Sequence, residues 1–184
     1  MQEFTNWTVE RIRDKKNLIG AWLEERKFDW IPIVSKTITN IIDKNRAVLI
    51  ISDDDREWFL KYILNKINSN TSNRPLLPFF DFNSFVNNSN KLSSEKDIAL
   101  VKDLLDISFP NGYIFWYIGK GQDKKSTIAK MSKNSFLWLM DENGQNSFNL
   151  NSLDEALDMK LLQLYRLFDQ TIDGALFGQI EVDK

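Results

Sequence analysis

Three consecutive carboxylates, Asp53, Asp54 and Asp55, stand directly behind the apolar run Ala47–Ile51 and ahead of an amphipathic stretch that starts near Arg56. A strand followed by Asp-x-Asp is how aspartate-based phosphatases place a nucleophile and an acid, with Mg²⁺ held by the same carboxylates. Other apolar runs also end in acids: Asp81 follows Leu76–Phe80, and Asp141 and Glu142 follow Phe136–Met140. If those ends meet at one edge of a parallel sheet, Asp53, Asp55 and Asp141 make an oxygen-rich site for a hard cation and a phosphoryl group. The plainer reading is a helix start. One of Ser52–Asp55 caps the next helix and the others favour its positive end, each effect worth about 0.3–1 kcal/mol. Glu57 also stands where the phosphatase pattern wants a small or β-branched residue.

A second candidate is Gly119-Lys120-Gly121, inside Tyr117–Thr127 (YIGKGQDKKST), where backbone amides after a strand could cradle a phosphate. It is neither a P-loop nor a complete G-x-G-x-x-G, so a turn into a basic helix start explains it as well.

Composition narrows the chemistry. The 184 residues contain no cysteine and no histidine. That removes disulfides, thiolate nucleophiles, Cys/His zinc sites and every mechanism with a histidine base. The formal charge is −2, from 24 basic and 26 acidic residues, which gives no global attraction to nucleic acid or a membrane. The first residues, MQEFTNWTVERIRDKKN, carry charge throughout and no apolar core, unlike a secretory leader. No apolar run approaches the ~18 residues that span a bilayer. A cytoplasmic protein without cofactor or metal is the expectation.

The elements that would position these residues follow from periodicity. A helix is predicted from about Asn6 to Arg26, a break at Phe28–Pro32, then a second helix with Val34, Ile38, Ile41 and Ile42 on one stripe. Strand Ala47–Ile51, helix Glu57–Ile67 and strand Leu76–Phe80 follow; Pro78 places the last at an edge or bulge. Then come a helix near Glu95–Asp106 with Ser94 and Asp97 at capping-box spacing, and strand Tyr113–Ile118. A short helix Lys124–Met131, strand Phe136–Met140 and an extended piece Phe148–Leu150 precede a long helix from near Leu153 to at least Ile172. Strands alternating with helices give a single α/β domain over residues 1–184: a three-layer doubly wound parallel sheet, with two N-terminal helices and a long C-terminal one.

Of the tryptophans, Trp116 and Trp138 lie in apolar strands and belong to the core, whereas Trp7, Trp22 and Trp30 suit either a core or a subunit interface. Beyond Asp173-Gly174 a further apolar pair, Leu176-Phe177, sits near a chain end expected to fray. It is either tucked into the core or offered to a partner.

Several stretches, taken in order, resemble the HobA family: WFLKYIL (Trp58–Leu64), RPLL (Arg74–Leu77), DFN (Asp81–Asn83), SFLWL (Ser135–Leu139), KLLQLYRLF (Lys160–Phe168) and ALF (Ala175–Phe177). None is a catalytic signature; their number and spacing carry the likeness, over most of the chain. The resemblance implies a sugar-isomerase-type (SIS, Rossmann-like) fold and a homotetramer built as a dimer of dimers. It also implies a non-enzymatic role: binding the N-terminal domain of the replication initiator DnaA and promoting its assembly at the origin, without direct contact to nucleic acid. Related DiaA proteins carry a Leu-Phe pair linked to DnaA binding, and Asp173, Leu176 and Phe177 in IDGALF are similar to that stretch. Sugar-binding relatives hold phosphate with a Gly/Ser-rich loop where this chain has Ser52–Arg56. Three carboxylates there would repel a phosphosugar. The alternatives are an Mg²⁺-dependent phosphatase or phosphotransfer domain using Asp53 and Asp55, and a small-ligand sensor with a retained anion site.

Overall fold

In the computed structural model, which describes residues 2–14, 21–69, 73–86 and 95–181, the chain is an α/β protein around a five-stranded parallel sheet. The elements in chain order are β1 (Gln2–Glu3), α1 (Phe4–Asp14), α2 (Ala21–Glu25), α3 (Lys27–Ile42), β2 (Ala47–Ser52) and α4 (Glu57–Ile67). There follow β3 (Phe79–Asp81), α5 (Glu95–Ser108), β4 (Tyr113–Lys120), α6 (Lys124–Lys130), β5 (Phe136–Met140), β6 (Ser147–Leu150), α7 (Leu157–Leu176) and β7 (Ile180–Glu181). The sheet order is β3-β2-β4-β5-β6, with all neighbours parallel.

Every residue of β2 and β5 is buried, which is why those strands read as unbroken apolar runs instead of alternating ones. Alternation reappears in where the side chains go. Val48, Ile50, Trp116, Ile118, Phe136, Trp138 and Phe148 share one core with α1, α3, α4 and α7. Leu49, Ile51, Phe115, Tyr117, Leu137 and Leu139 share the other with Leu105 of α5 and Ile128 and Ala129 of α6. Register aligns the large rings into a stripe across the first face: Trp116 pairs with Phe136, Ile118 with Trp138, and Trp138 with Phe148.

Trp7, Trp30, Trp116 and Trp138 are all buried. Trp22 is partly buried and donates its indole N–H to Gln163 (3.0 Å), while Trp58 is exposed. Trp7 and Trp30, open between core and interface from sequence, therefore pack within the chain.

Several boundaries differ from the sequence reading. The predicted first helix is α1 and α2; residues 15–20, including Leu18 and Ile19, lie outside the described ones. The break expected at Phe28–Pro32 is absent, because α3 runs through it with Pro32 inside. The proline removes one intrahelical bond, to the carbonyl of Phe28, on a turn where Phe28, Asp29 and Pro32 all face solvent. Trp30 meanwhile packs edge-on against Phe148 and near Phe136 and Trp138, which outweighs the lost bond. Strand β3 is shorter than Leu76–Phe80 and shifted toward Asp81, so Pro78 falls just before it; the strand lies at the edge of the sheet, one of the two placements Pro78 suggested. Ser94 of the proposed capping box is outside the described residues. Helix α7 starts at Leu157, not Leu153.

The last described residues, Ile180 and Glu181, are held in place instead of frayed. They pair with Gln2 and Glu3, and Ile180 is buried beside Trp7 and Gly174.

Candidate functional site

The sheet order reverses between β2 and β4, so the loops after Ser52 and after Lys120 part company at the carboxyl end of the sheet. This is the crevice in which open α/β proteins place their ligands. The sequence candidates Asp53, Asp54, Asp55, Gly119–Gly121, Asp141 and Glu142 all come to that end. What they do there is satisfy one another.

Asp53 is buried, and its carboxylate accepts from the N–H of Arg56 (3.1 Å) and from the N–H of Lys120 (2.7 Å). The Arg56 guanidinium lies alongside at 3.0 Å and donates to Asp55 (2.9 Å). Lys125, itself buried, donates to Asp54 (2.7 Å), and Lys120 reaches Asp55 at 3.4 Å. On the other side Lys130 donates to Glu142 and to the carbonyl of Gly121, both at 2.7 Å. Asp141 accepts from the N–H of Ser152 (2.9 Å), and Asp81 caps the turn Phe82–Ser84 through the N–H of Asn83 (2.8 Å).

The electrostatics agree. Burial pushes the Asp53 carboxyl up, against the pull of the Lys120 amide and Arg56. Lys125 holds Asp54 below the usual carboxylate range, and Ser152 does the same for Asp141. Among the described residues no group of three Asp or Glu side chains could hold a metal ion. The alternative reading, in which Asp53, Asp55 and Asp141 converge on a cation, meets matched pairs instead. Asp53, assigned as a phosphatase nucleophile in the alternative reading, has its oxygens committed to two amides and a guanidinium.

The Gly119–Gly121 turn is spent in the same way. Its Lys120 amide, one of those that would cradle a phosphate, holds Asp53 instead, and the Gly121 amide donates to the carbonyl of Met140 (3.0 Å). The chain's own carboxylate sits where an anion would. Gly119 is required by that closeness: a Cβ there would lie 2.7 Å from Asp53 and 2.8 Å from the Tyr117 hydroxyl. Gly119→Ala is therefore expected to cost about 2 kcal/mol, since neither neighbour is free to move. A lower urea midpoint with unchanged slope would show it.

The C-terminal candidates lie elsewhere. Helix α7 buries Leu161, Leu164, Leu167, Phe168 and Ile172 and ends at Phe177, with Gly178 in the left-handed conformation that closes it (φ +66°). Leu176 is partly buried against the core, so half of the apolar pair is tucked in. Phe177 is 55% exposed. One turn earlier, Asp173 accepts from Arg74 (2.6 Å), whose other guanidinium nitrogen is bound to Asp169 and to the carbonyl of Ile67 (2.7 Å). Asp173, Leu176 and Phe177 thus share one helix end. Arg74 was missed as a member of this cluster by residue-level reading, because an arginine before a proline carries no signal of a partner so far along the chain.

Comparison with known proteins places the whole chain. The family described as "HobA: DNA replication regulator" matches residues 1–182. The DNA replication regulator protein HobA of Helicobacter pylori is 30% identical over 185 residues, covering 98% of this chain and 99% of that protein. Two crystal structures from the same organism are similar over 98% of this chain and 99% of theirs. One is HobA (30% identity, TM-score 0.76), and the other is a complex of HobA with DnaA domains I–II (31% identity, TM-score 0.74).

Proposed function

The chain belongs to the HobA family, and from that membership we propose that it is a non-enzymatic adaptor for the replication initiator DnaA. It binds the N-terminal region of DnaA and promotes assembly of the initiator at the origin. The observation that carries this reading is the likeness, over 98% of the chain, to a HobA crystallised with DnaA domains I–II.

The geometry supports the same direction. With the switch-point crevice filled by the chain's own Asp53, binding capacity lies on the outer surface. The proposed contacts there are Asp173, Leu176 and Phe177. The chain acts as one SIS-like, three-layer domain over residues 1–184, without cofactor, in the cytoplasm, and as a homotetramer built as a dimer of dimers. A tetramer raises the local concentration of several DnaA molecules at once, so modest single-site affinity suffices. Direct contact with DNA is no part of the role, which suits a net charge of −2. No helix among the described residues is long and apolar enough to cross a membrane.

Calorimetric titration with DnaA domains I–II tests the reading. Binding is expected, and Phe177→Ala should weaken it about tenfold, as loss of an aromatic contact does. A wild-type Kd weaker than about 100 μM would overturn it.

A further inference from the structure

Two features near the end of α7 are left unused by that contact set. Leu76 is 82% exposed, although it lies in a firmly held loop. On one side of it, Arg74 has a side chain only 2% exposed. Its guanidinium donates to Asp173 (2.6 Å), to the Asp169 carbonyl (3.3 Å), to the Ile67 carbonyl (2.7 Å) and to the Asp169 carboxylate. On the other side, Asn68 grips Leu77 twice: its side-chain N–H donates to the Leu77 carbonyl and its oxygen accepts the Leu77 N–H, both at 2.8 Å. Leu76 is therefore an apolar side chain presented on a fixed backbone. Such a group gives up little conformational freedom on binding.

The charges in the Arg74 cluster are unbalanced in one direction. Asp169 and Asp173 carry two negative charges against the single positive charge of Arg74, and the Asp173 side chain is 45% exposed. The surplus is negative and faces solvent. A complementary partner brings apolar side chains together with a Lys or Arg.

We propose that Leu76 is a contact residue of the same docking surface as Phe177, and that Arg74 is the positioning residue that fastens its loop to α7. The inference rests on the DnaA-binding reading above. Its occupant is a segment of the DnaA N-terminal region that packs apolar groups on Leu76 and Phe177 and sets a basic side chain by Asp173. The surface lies toward the amino end of the sheet, since the Arg74 loop leads into β3 and is bonded to the last residue of α4. It is thus on the far side of the sheet from the sealed crevice.

The test uses the full chain and calorimetric titration with DnaA domains I–II. Leu76→Ser removes the apolar contact and Leu76→Arg adds a cation facing the partner's basic group. Neither disturbs a buried group, so both should melt within about 2 °C of wild type. Leu76→Ser is expected to weaken binding about tenfold and Leu76→Arg more than that. Wild-type affinity in both variants, with Phe177→Ala still weakened, overturns the inference and leaves the DnaA reading standing. No binding by the wild type sinks the DnaA reading itself. For Arg74, the conservative Arg74→Lys keeps the charge but not the fork, and is expected to lose affinity. Gly119→Ala, destabilised at the other end of the sheet, is expected to keep it while folded. Equal Kd for Arg74→Lys and wild type overturns the positioning role.

Discussion

Arg74→Met is expected to lower the unfolding free energy by about 3–5 kcal/mol, the usual cost of breaking a buried ion pair from one side. For a chain of this length that is a fall of about 10 °C in Tm. The loss is large because the guanidinium serves four acceptors at once, among them two main-chain carbonyls, of Ile67 and Asp169. Methionine fills much of the volume but donates nothing, so those carbonyls and the Asp169 carboxylate lose their partner together. The effect has a signed pH dependence. Burial pushes the Asp169 carboxyl up, so its contribution to stability is fully present below its unfolded pKa and is lost as pH rises through the folded one. Once protonated, Asp169 no longer needs the cation. The gap between wild type and Arg74→Met should therefore narrow as the pH falls through the range in which Asp169 takes up its proton. Urea unfolding at pH 7 and near pH 4 measures both gaps. A gap that widens toward acid would show that Asp169 is not the group left exposed.

Trp116→Ala is expected to cost about 3–5 kcal/mol, from the lost burial and the cavity that remains. Trp116 is fully buried in the central strand β4. Its ring lies 5.1 Å from those of Trp138 and Phe168 and 5.3 Å from that of Phe136. Those neighbours come from two different elements, β5 and α7, so no single shift closes the hole. Trp116→Phe keeps most of the ring volume and should recover more than half of the loss. Chemical denaturation of the three proteins, followed by far-UV circular dichroism, checks the order wild type, Phe, Ala.

Local patterns were readable where the information is local. The strands β2 and β5 and the helix Glu57–Ile67 were evident because unbroken apolar runs and a 3.6-residue stripe each span fewer than about 12 residues. Pro78 suggested an edge or a bulge through its missing N–H, and the strand after it lies at the edge. Pro32 misled for the same kind of reason: the rule concerns the backbone, and the deciding term was the packing of Trp30 against rings from β5 and β6. The pairing of β1 with β7 left no trace in periodicity, as two-residue strands are too short to show one.

The acidic triplet divides the same way. That one of Ser52–Asp55 caps the next helix was a local inference. Asp53 caps instead the single turn Asp54–Arg56 that leads into α4, through the N–H of Arg56, and α4 itself starts without a side-chain cap. That the other Asp53 oxygen would hold the Lys120 amide, 67 residues away, was no local inference. By itself the sequence determined the class of fold, the order of the main-sheet strands and the helices between them, the lack of any histidine or cysteine chemistry and the family likeness. All of these rest on residue type and short-range spacing. The tertiary structure alone decided that the crevice is closed by the chain's own carboxylate. It also decided that Phe177 is exposed while Leu176 is half-buried, and that Arg74 clasps Asp173 across 99 residues. Those facts depend on which side chains meet after the sheet has ordered its strands, and such meetings have no period along the chain.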